Sequence, residues 1–464
     1  MLDDHDESEV HDLLSTEEEA VLDNRRVSAV RLALAAGDAV RVARLLEPLH
    51  AADIADFLEQ IDAGERREIL LLTPACFDGE VLTELDESIR EDVIEFLPSK
   101  FLKEAVRDLE SDDVVDLIED LEDAQQNVIL QALDGADRAA VEQSLSYPEY
   151  SAGRLMQREV VSAPEHWTVG QAIDFLRAAE YLPEQFYHVT LVDPRMRPVG
   201  NVTLGRLMGS PRATLLADIQ EDTFRTIPAT TEQGDVAYAF NQYHLISAPV
   251  VDDDGRLVGM ITIDDAMIVL DEEHEEDILL LAGVGEGSLS DRVVETTKQR
   301  LPWLAVNLLT AILASLVIAQ FEDAIGTVVA LAVLMPIVAS MGGNAGTQSL
   351  TVAVRALATK DLTGSNVWRV IRREALVGVI NGVTFALIMA IVGMVWFGSP
   401  VLGGVIAVAM VVNLVVAALA GTVIPIIMER VGVDPALASG TFVTTVTDVV
   451  GFFAFLGLAS SVML

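Results

Sequence analysis

The run Val443-Thr444-Thr445-Val446-Thr447-Asp448-Val449-Val450 lies in the middle of an apolar stretch, residues 436–463, long enough to cross a bilayer. A carboxylate at that depth costs about 2.5 to 3.5 kcal/mol on insertion scales, so Asp448 marks a functional position. Four more apolar stretches precede it, near residues 301–321, 327–355, 375–397 and 402–428. Each meets the roughly 20 residues that a spanning helix needs. Five spans put the two ends of the chain on opposite sides.

Within the second stretch, Pro336 and then Gly342-Gly343-Asn344-Ala345-Gly346-Thr347-Gln348 predict an interrupted backbone. Irregular backbone at membrane depth is tolerated only where protein or a water-filled path surrounds it. Close packing through small residues explains the glycines as well, but it does not require Asn344 and Gln348. Thr444, Thr445, Thr447, Asn307, Asn344 and Asn413 all offer oxygen donors, and no His or Cys follows residue 300. Hard oxygen ligands without soft ones suit magnesium or calcium better than zinc or copper.

Charge divides the 464 residues in two. Residues 301–464 hold 7 acids and 6 bases, whereas the first 300 hold 65 acids and 24 bases. An acidic soluble part thus joins a nearly neutral apolar part close to Arg300. Such a surface argues against nucleic acid, which needs clustered Lys and Arg; cations are its natural partners. With only four lysines, the same composition also suits solvation in high salt, so individual clusters must argue for themselves. Arg292, Lys298 and Arg300 precede the first span, and Arg355, Lys360, Arg369, Arg372 and Arg373 crowd the second connection. The positive-inside rule therefore predicts a cytosolic N-terminus and an external C-terminus in a plasma-membrane protein. The acidic start MLDDHDESEV has no apolar h-region, so no cleavable signal is expected, and His5 and His11 fall in a solvated tail. The single cysteine, Cys76, excludes a disulfide within the chain.

Residues 25–146 read as short amphipathic helices with an internal repeat. Asp53-Ile54-Ala55-Asp56-Phe57 returns 60 positions later as Asp113-Val114-Val115-Asp116-Leu117, which predicts a small α-helical superhelix. From about residue 154 the pattern alternates between helices and strands, twice. Val189-Thr190-Leu191-Val192-Asp193 leads into Arg197-Pro198-Val199-Gly200-Asn201-Val202, and Ala248-Pro249-Val250-Val251-Asp252-Asp253-Asp254-Gly255-Arg256 into Leu257-Val258-Gly259-Met260-Ile261. Asp254-Gly255 is a hairpin turn signal.

Those paired lines resemble a tandem cystathionine-β-synthase (CBS) module. With the helical repeat and the five spans carrying Pro336, Gly342-Gly343-Asn344, Gly346, Gln348 and Asp434-Pro435-Ala436 before Asp448, nearly the whole chain is similar to the MgtE family of magnesium channels. The resemblance implies a multidomain protein: an acidic flexible tail (1–24), an all-α superhelical N domain (25–146), an α/β tandem CBS pair (147–209 and 210–270), a connecting helix (271–300) and an α-helical transmembrane domain of five spans (301–464). It implies a homodimer in the lipid bilayer whose fifth and second helices line a pore, with hydrated Mg2+ held at Asp448 beside Gly440, Thr444 and Asn344. Gly440 stands where some members carry an amide, and Thr441 replaces a common proline.

The resemblance also points to regulatory Mg2+ at Glu80, at Asp112 with Asp116, and at Asp265 with Glu273, Glu276 and Asp277. Asp112 and Asp116 are four apart, and Glu273 has partners three and four away, so each group is expected on one helical face. Two carboxylates 6 Å apart repel by about 3 kcal/mol at an effective dielectric of 20, and a bridging divalent ion reverses that sign. Filled sites would hold the pore shut. The second CBS half has no acid between Val236 and Val251, where the family leads one to expect a further carboxylate. Adenine nucleotide at the CBS pair would meet His188 and Asp265. No G-x-x-x-x-G-K-[ST] loop occurs, which argues against an ATP-driven pump, and no enzymatic activity is expected. The open alternatives are a secondary transporter exchanging protons or sodium through Asp448, and a magnesium sensor for a partner.

Overall fold

The computed structural model describes residues 22–107, 109–119, 121, 123–179, 182–183, 185–284, 293–362 and 364–463. The expected acidic tail lies outside them up to residue 21, His5 and His11 included. The chain divides into two compact units, Met1–Asp271 and Glu272–Leu464.

The first unit opens with helices α1 (Asn24–Ala35), α2 (Ala39–Leu46), α3 (Ala51–Gln60), α4 (Ala63–Leu72), α5 (Gly79–Thr83), α6 (Glu87–Phe96), α7 (Ser99–Arg107), α8 (Ser111–Glu119), α9 (Asp123–Leu130) and α10 (Gly135–Ser144). Several acids of this region work as caps: Asp23, Asp38, Asp62 and Asp78 each accept a backbone N–H at a helix start, satisfying donors that the helix itself leaves open. The 60-residue repeat maps onto α3 and α8. Ile54, Phe57 and Leu58 of the first and Val114, Leu117 and Ile118 of the second are buried in one apolar core, as a 3.6-residue period requires.

The CBS pair follows with α11 (Ala152–Leu155), β1 (Ser162–Pro164), α12 (Val169–Ala178), β2 (His188–Val192), β3 (Pro198–Thr203), α13 (Leu204–Gly209), β4 (Ile227–Pro228), α14 (Gln233–Tyr243), β5 (Ser247–Val251) and β6 (Leu257–Thr262). Two three-stranded sheets result, β1-β2-β3 and β4-β5-β6, each with one parallel and one antiparallel pairing. Both hairpins turn alike. Asp193 Oδ1 accepts the N–H groups of Arg195 and Arg197, and Asp252 Oδ1 those of Asp254 and Arg256. The left-handed position is Met196 (φ 60°) in one and Gly255 (φ 74°) in the other, so only the second turn shows in the sequence as Asp-Gly.

The structure redraws the two halves expected at 147–209 and 210–270. Ala152 and Met156 pack in the second core with Ile227, Val250 and Ile261, and Gly153 N–H donates to Ala229 O at 2.8 Å. Leu216 packs in the first core, its N–H bonded to Trp167 O at 2.8 Å. Each half thus borrows the segment next to the other, because buried backbone groups bond wherever the sheet edge is open.

After the last strand come α15 (Ile263–Leu281), α16 (Val293–Ala319), α17 (Glu322–Thr327), α18 (Ala330–Ala358), α19 (Val367–Phe397), α20 (Pro400–Val431) and α21 (Pro435–Met463). Of the connecting helix expected over 271–300, residues 285–292 lie outside the described residues; α15 starts earlier at Ile263 and ends at Leu281, and residues 293–300 belong to α16. Among the described residues, five helices are long and apolar enough to span a membrane. Leu334, Val338, Ile406, Met410, Phe455 and Leu456 build their common core, while Leu304, Leu308, Ile380, Leu387 and Ile391 point outward, where lipid replaces water as solvent.

The interruption expected at Pro336 and Gly342-Gly343 does not occur: α18 is helical throughout its 29 residues. Its glycines serve close approach instead. A Cβ at Gly342 would strike the Asn413 amide, one at Gly346 would strike Val443, and one at Gly421 the backbone of Gly346. Small residues that let helices touch backbone to backbone are the usual glue of membrane bundles.

Candidate functional site

Asp448 stands 13 residues into α21, about 20 Å from Pro435 at 1.5 Å per residue. It is half-buried, and among the described residues its carboxylate has neither a hydrogen bond nor an ion pair. Gly440, Thr444 and Asp448 recur every fourth residue and share one face. The hydroxyls around it donate into the helix: Thr444 Oγ1 to Gly440 O at 2.9 Å, Thr445 Oγ1 to Thr441 O at 2.7 Å and Thr447 Oγ1 to Thr444 O at 2.9 Å. Their protons are therefore spent, and the lone pairs of the exposed Thr444 can face a cation, whereas Thr447 is buried. Asn344 lies on the exposed side of α18, bonded to Ser340 at 3.4 Å, and α18 meets α21 through Gly346 against Val443 and Thr447.

The end of α15 belongs to this same unit. Leu280 is buried with Leu350, Val354, Ala436 and Val443, and the Leu281 carbonyl would lie 3.8 Å from a Cβ on Gly440. Just before it, Asp277 is half-buried between Glu273 and Asp434; burial first, then the charge of Asp434 and that of Glu273, raise its carboxyl above the usual range. Glu276 is exposed. Asp434, in the turn before α21, was missed by sequence spacing because 157 residues separate it from Asp277.

The other acids gather in the first unit. Asp112 is fully buried at the start of α8 and faces Asp265; burial and then that neighbour's charge push it well up. Asp265 itself is raised to about 7, chiefly by burial, while Thr262 Oγ1 donates to it at 2.6 Å. Glu110 is raised to about 7 by burial and by Glu159, and Asp113 to about 6 by burial and by Asp116. Gln157 Nε2 donates to Glu110 at 2.6 Å, and Ser111 Oγ to Glu159 at 2.8 Å, which ties α8 to the strand-rich module. Glu80 is exposed and contributes to the field on Asp113.

Two expectations change here. Asp265 keeps company with Asp112 and Glu110, in a different unit from Glu273, Glu276 and Asp277. Asp112 and Asp116, four apart on α8, meet different surroundings: the first is buried, and the second is exposed and bonded to Arg90 at 2.9 Å. Glu110, Asp113 and Asp264 were passed over, since nothing local distinguishes them from other acids in so acidic a chain. Among the described residues no group of three or more acids, histidines or cysteines stands ready to hold a metal ion. An ion entering these clusters has to draw the carboxylates together, replacing their mutual repulsion.

Between the CBS halves, His188 is buried, with Nδ1 2.6 Å from Ser247 Oγ and Nε2 3.3 Å from Glu221. Burial lowers the imidazole, against the opposing pull of Glu221. The cavity beside it, about 10 Å3 and lined by Gln157, Phe186 and Thr262 among others, has room for one water.

Comparison with known proteins covers most of the chain. Residues 335–458 match the family model described as a divalent cation transporter, residues 49–150 the MgtE intracellular N domain, and residues 152–211 and 216–272 the CBS domain. The magnesium transporter MgtE of Thermus thermophilus is 35% identical over 445 residues, 94% of this chain and 98% of that protein. That of Enterococcus faecalis is 36% identical over 323 residues, 70% and 71% of the two chains. A solved structure of the cytosolic domain of the Mg2+ channel MgtE in complex with ATP is 32% identical, covers 52% of this chain and 99% of its own, and gives a TM-score of 0.49. Full-length similarity at this level, over a multi-pass membrane domain with the same order of parts, makes the chain a member of the MgtE family of magnesium transporters.

Proposed function

We propose that this protein is a homodimeric channel that admits Mg2+ to the cytosol and is closed by Mg2+ bound to its own acidic groups. The observation that carries this reading is Asp448: a carboxylate in mid-span, sharing a face with Thr444 and Gly440, with no partner of its own among the described residues. A cation is the counter-charge such a group calls for. Magnesium gives up water reluctantly, so a single carboxylate ringed by hydroxyl and carbonyl oxygens suits a largely hydrated ion, with Asn344 at the edge of the path. Two chains would bring two copies of Asp448 to one axis. Inward flow needs no ATP, because a doubly charged ion gains about 4.6 kcal/mol per 100 mV of inside-negative potential.

Closure is proposed to act through α15. Leu280 and Leu281 pack beside Ala436, Val443 and Gly440, so ions drawing Glu273, Glu276 and Asp277 toward Asp434 would hold that helix end against the path. Glu80, Asp112, Asp116 and Asp265 would take further ions in the first unit. The base-rich ends of the first three spans support a cytosolic N-terminus and an external C-terminus. The CBS pair would take adenine nucleotide at the cleft of His188, after that cleft widens.

Patch-clamp recording of the purified protein in liposomes tests the whole reading. Single openings that vanish as Mg2+ on the side of the acidic unit rises from zero to about 10 mM, the scale of weak carboxylate sites, are expected. Saturable, pH-coupled uptake without openings would replace the channel by an exchanger acting through Asp448.

A further inference from the structure

A second polar site lies in the membrane domain, away from Asp448. Between α18, α19 and α20 is a cavity of about 150 Å3 lined by Gln348, Ser349, Glu374 and Asn381 together with alkyl side chains and Gly378. Glu374, Gly378 and Asn381 recur at the i, i+4, i+7 spacing that sets them on one face of α19, and Gln348 and Ser349 face them from α18. The helix α21, which carries Asp448, supplies none of the lining.

Three features distinguish this cavity from a packing defect. Ser349 Oγ donates to Glu374 at 3.2 Å, and the carboxylate has no ion pair among the described residues. Gln348 and Asn381 are exposed and have no hydrogen-bond partner among those residues either, so their amide oxygens can turn toward an ion. No lysine, arginine or histidine lines the space, so no basic side chain stands opposite Glu374. Its volume has room for several waters.

We propose that Glu374, Gln348, Ser349 and Asn381 form a second magnesium site, taking the ion with part of its water shell. The donor set is one carboxylate, two amide oxygens and a hydroxyl, all hard oxygens. Room for several waters fits an ion that keeps them. Gly378 sets the wall of the site by letting α19 lie close on α20: a Cβ there would lie 2.9 Å from the Ala418 Cβ and 3.0 Å from the Leu414 carbonyl.

Crystals of the full-length protein soaked in Mn2+, an octahedral oxygen-preferring ion that scatters anomalously, give the test. The expected result is an anomalous peak beside Glu374 that is lost in Glu374→Gln while any peak at Asp448 persists. Should Glu374→Gln fail to fold, Asn381→Leu and Gln348→Met remove one amide oxygen each and are expected to weaken the same peak. A cavity without a peak, a peak that survives Glu374→Gln, or a cavity filled by side chains of a second copy would overturn the proposal. A peak missing at Asp448 alone would count against the channel reading and leave this site standing.

Discussion

Asn413 donates from Nδ2 to the carbonyl of Val338, 2.8 Å away and 75 residues earlier, at a point where Asn413 is fully buried. The bond pins α20 to α18 in the core of the membrane domain, and Gly342 and Gly451 make room for the amide from either side. A methyl group at Gly451 would lie 2.9 Å from Asn413 Nδ2. Gly342→Ala and Gly451→Ala are therefore expected to cost about 1–3 kcal/mol each through overpacking. A lowered thermal midpoint of the detergent-purified protein, with secondary structure retained, would show it.

Asp448→Asn keeps the shape of the side chain and removes its charge. If the carboxylate holds the permeating ion, Mg2+ flux into liposomes falls by about tenfold or more, the equivalent of at least 1.4 kcal/mol of ion binding. Thr444→Val, one turn away, should lower flux less. Undiminished flux in a well-folded Asp448→Asn protein would move the pathway elsewhere.

The buried acids of the first unit predict a pH dependence with a definite sign. Glu110 and Asp265 titrate near 7 and Asp113 near 6, all above the values such groups have in an unfolded chain, so the folded state holds the extra protons. That stabilisation is fully present below about pH 4 and is lost as pH rises through 6 to 7. In chelator, the first unfolding midpoint should drop between pH 5 and pH 8. Saturating Mg2+ should flatten the drop, because a bound cation replaces the protons. An unchanged midpoint across that range in chelator would contradict this account.

Arg90 donates to Asp116 at 2.9 Å and also to the carbonyls of Thr83 and Leu85. If Asp116 serves a regulatory ion, the guanidinium competes with it. Arg90→Gln is expected to shift Mg2+-dependent protection from proteolysis to severalfold lower Mg2+, the scale of one partly exposed charge pair at about 1 kcal/mol. A shift to higher Mg2+ would mean that Arg90 supports the site.

Much of this architecture is legible in the chain itself. Five apolar runs give five spanning helices, and the 60-residue repeat gives α3 and α8 with their buried stripes. The lone acid at 448 is visible because hydropathy is a local property and lipid punishes every exception. The glycine-rich run at 342–346 is read less well: local pattern cannot tell a broken helix from a tightly packed one, and only Asn413, Val443 and Gly421 on neighbouring helices show that α18 stays whole.

The charged sites divide along the same line. Helical spacing alone groups Asp112 with Asp116 and Glu273 with Glu276 and Asp277, but spacing says nothing about what lies across from a helix. Asp112 meets Asp265 over 150 residues away, Asp277 meets Asp434, and Glu374 opens onto Gln348 and Asn381. Composition and period thus determined which segments fold, which enter the membrane and that cations are the business of this chain. Which carboxylates face one another was decided by tertiary packing, because charge pairing depends on distances between elements that no single element encodes.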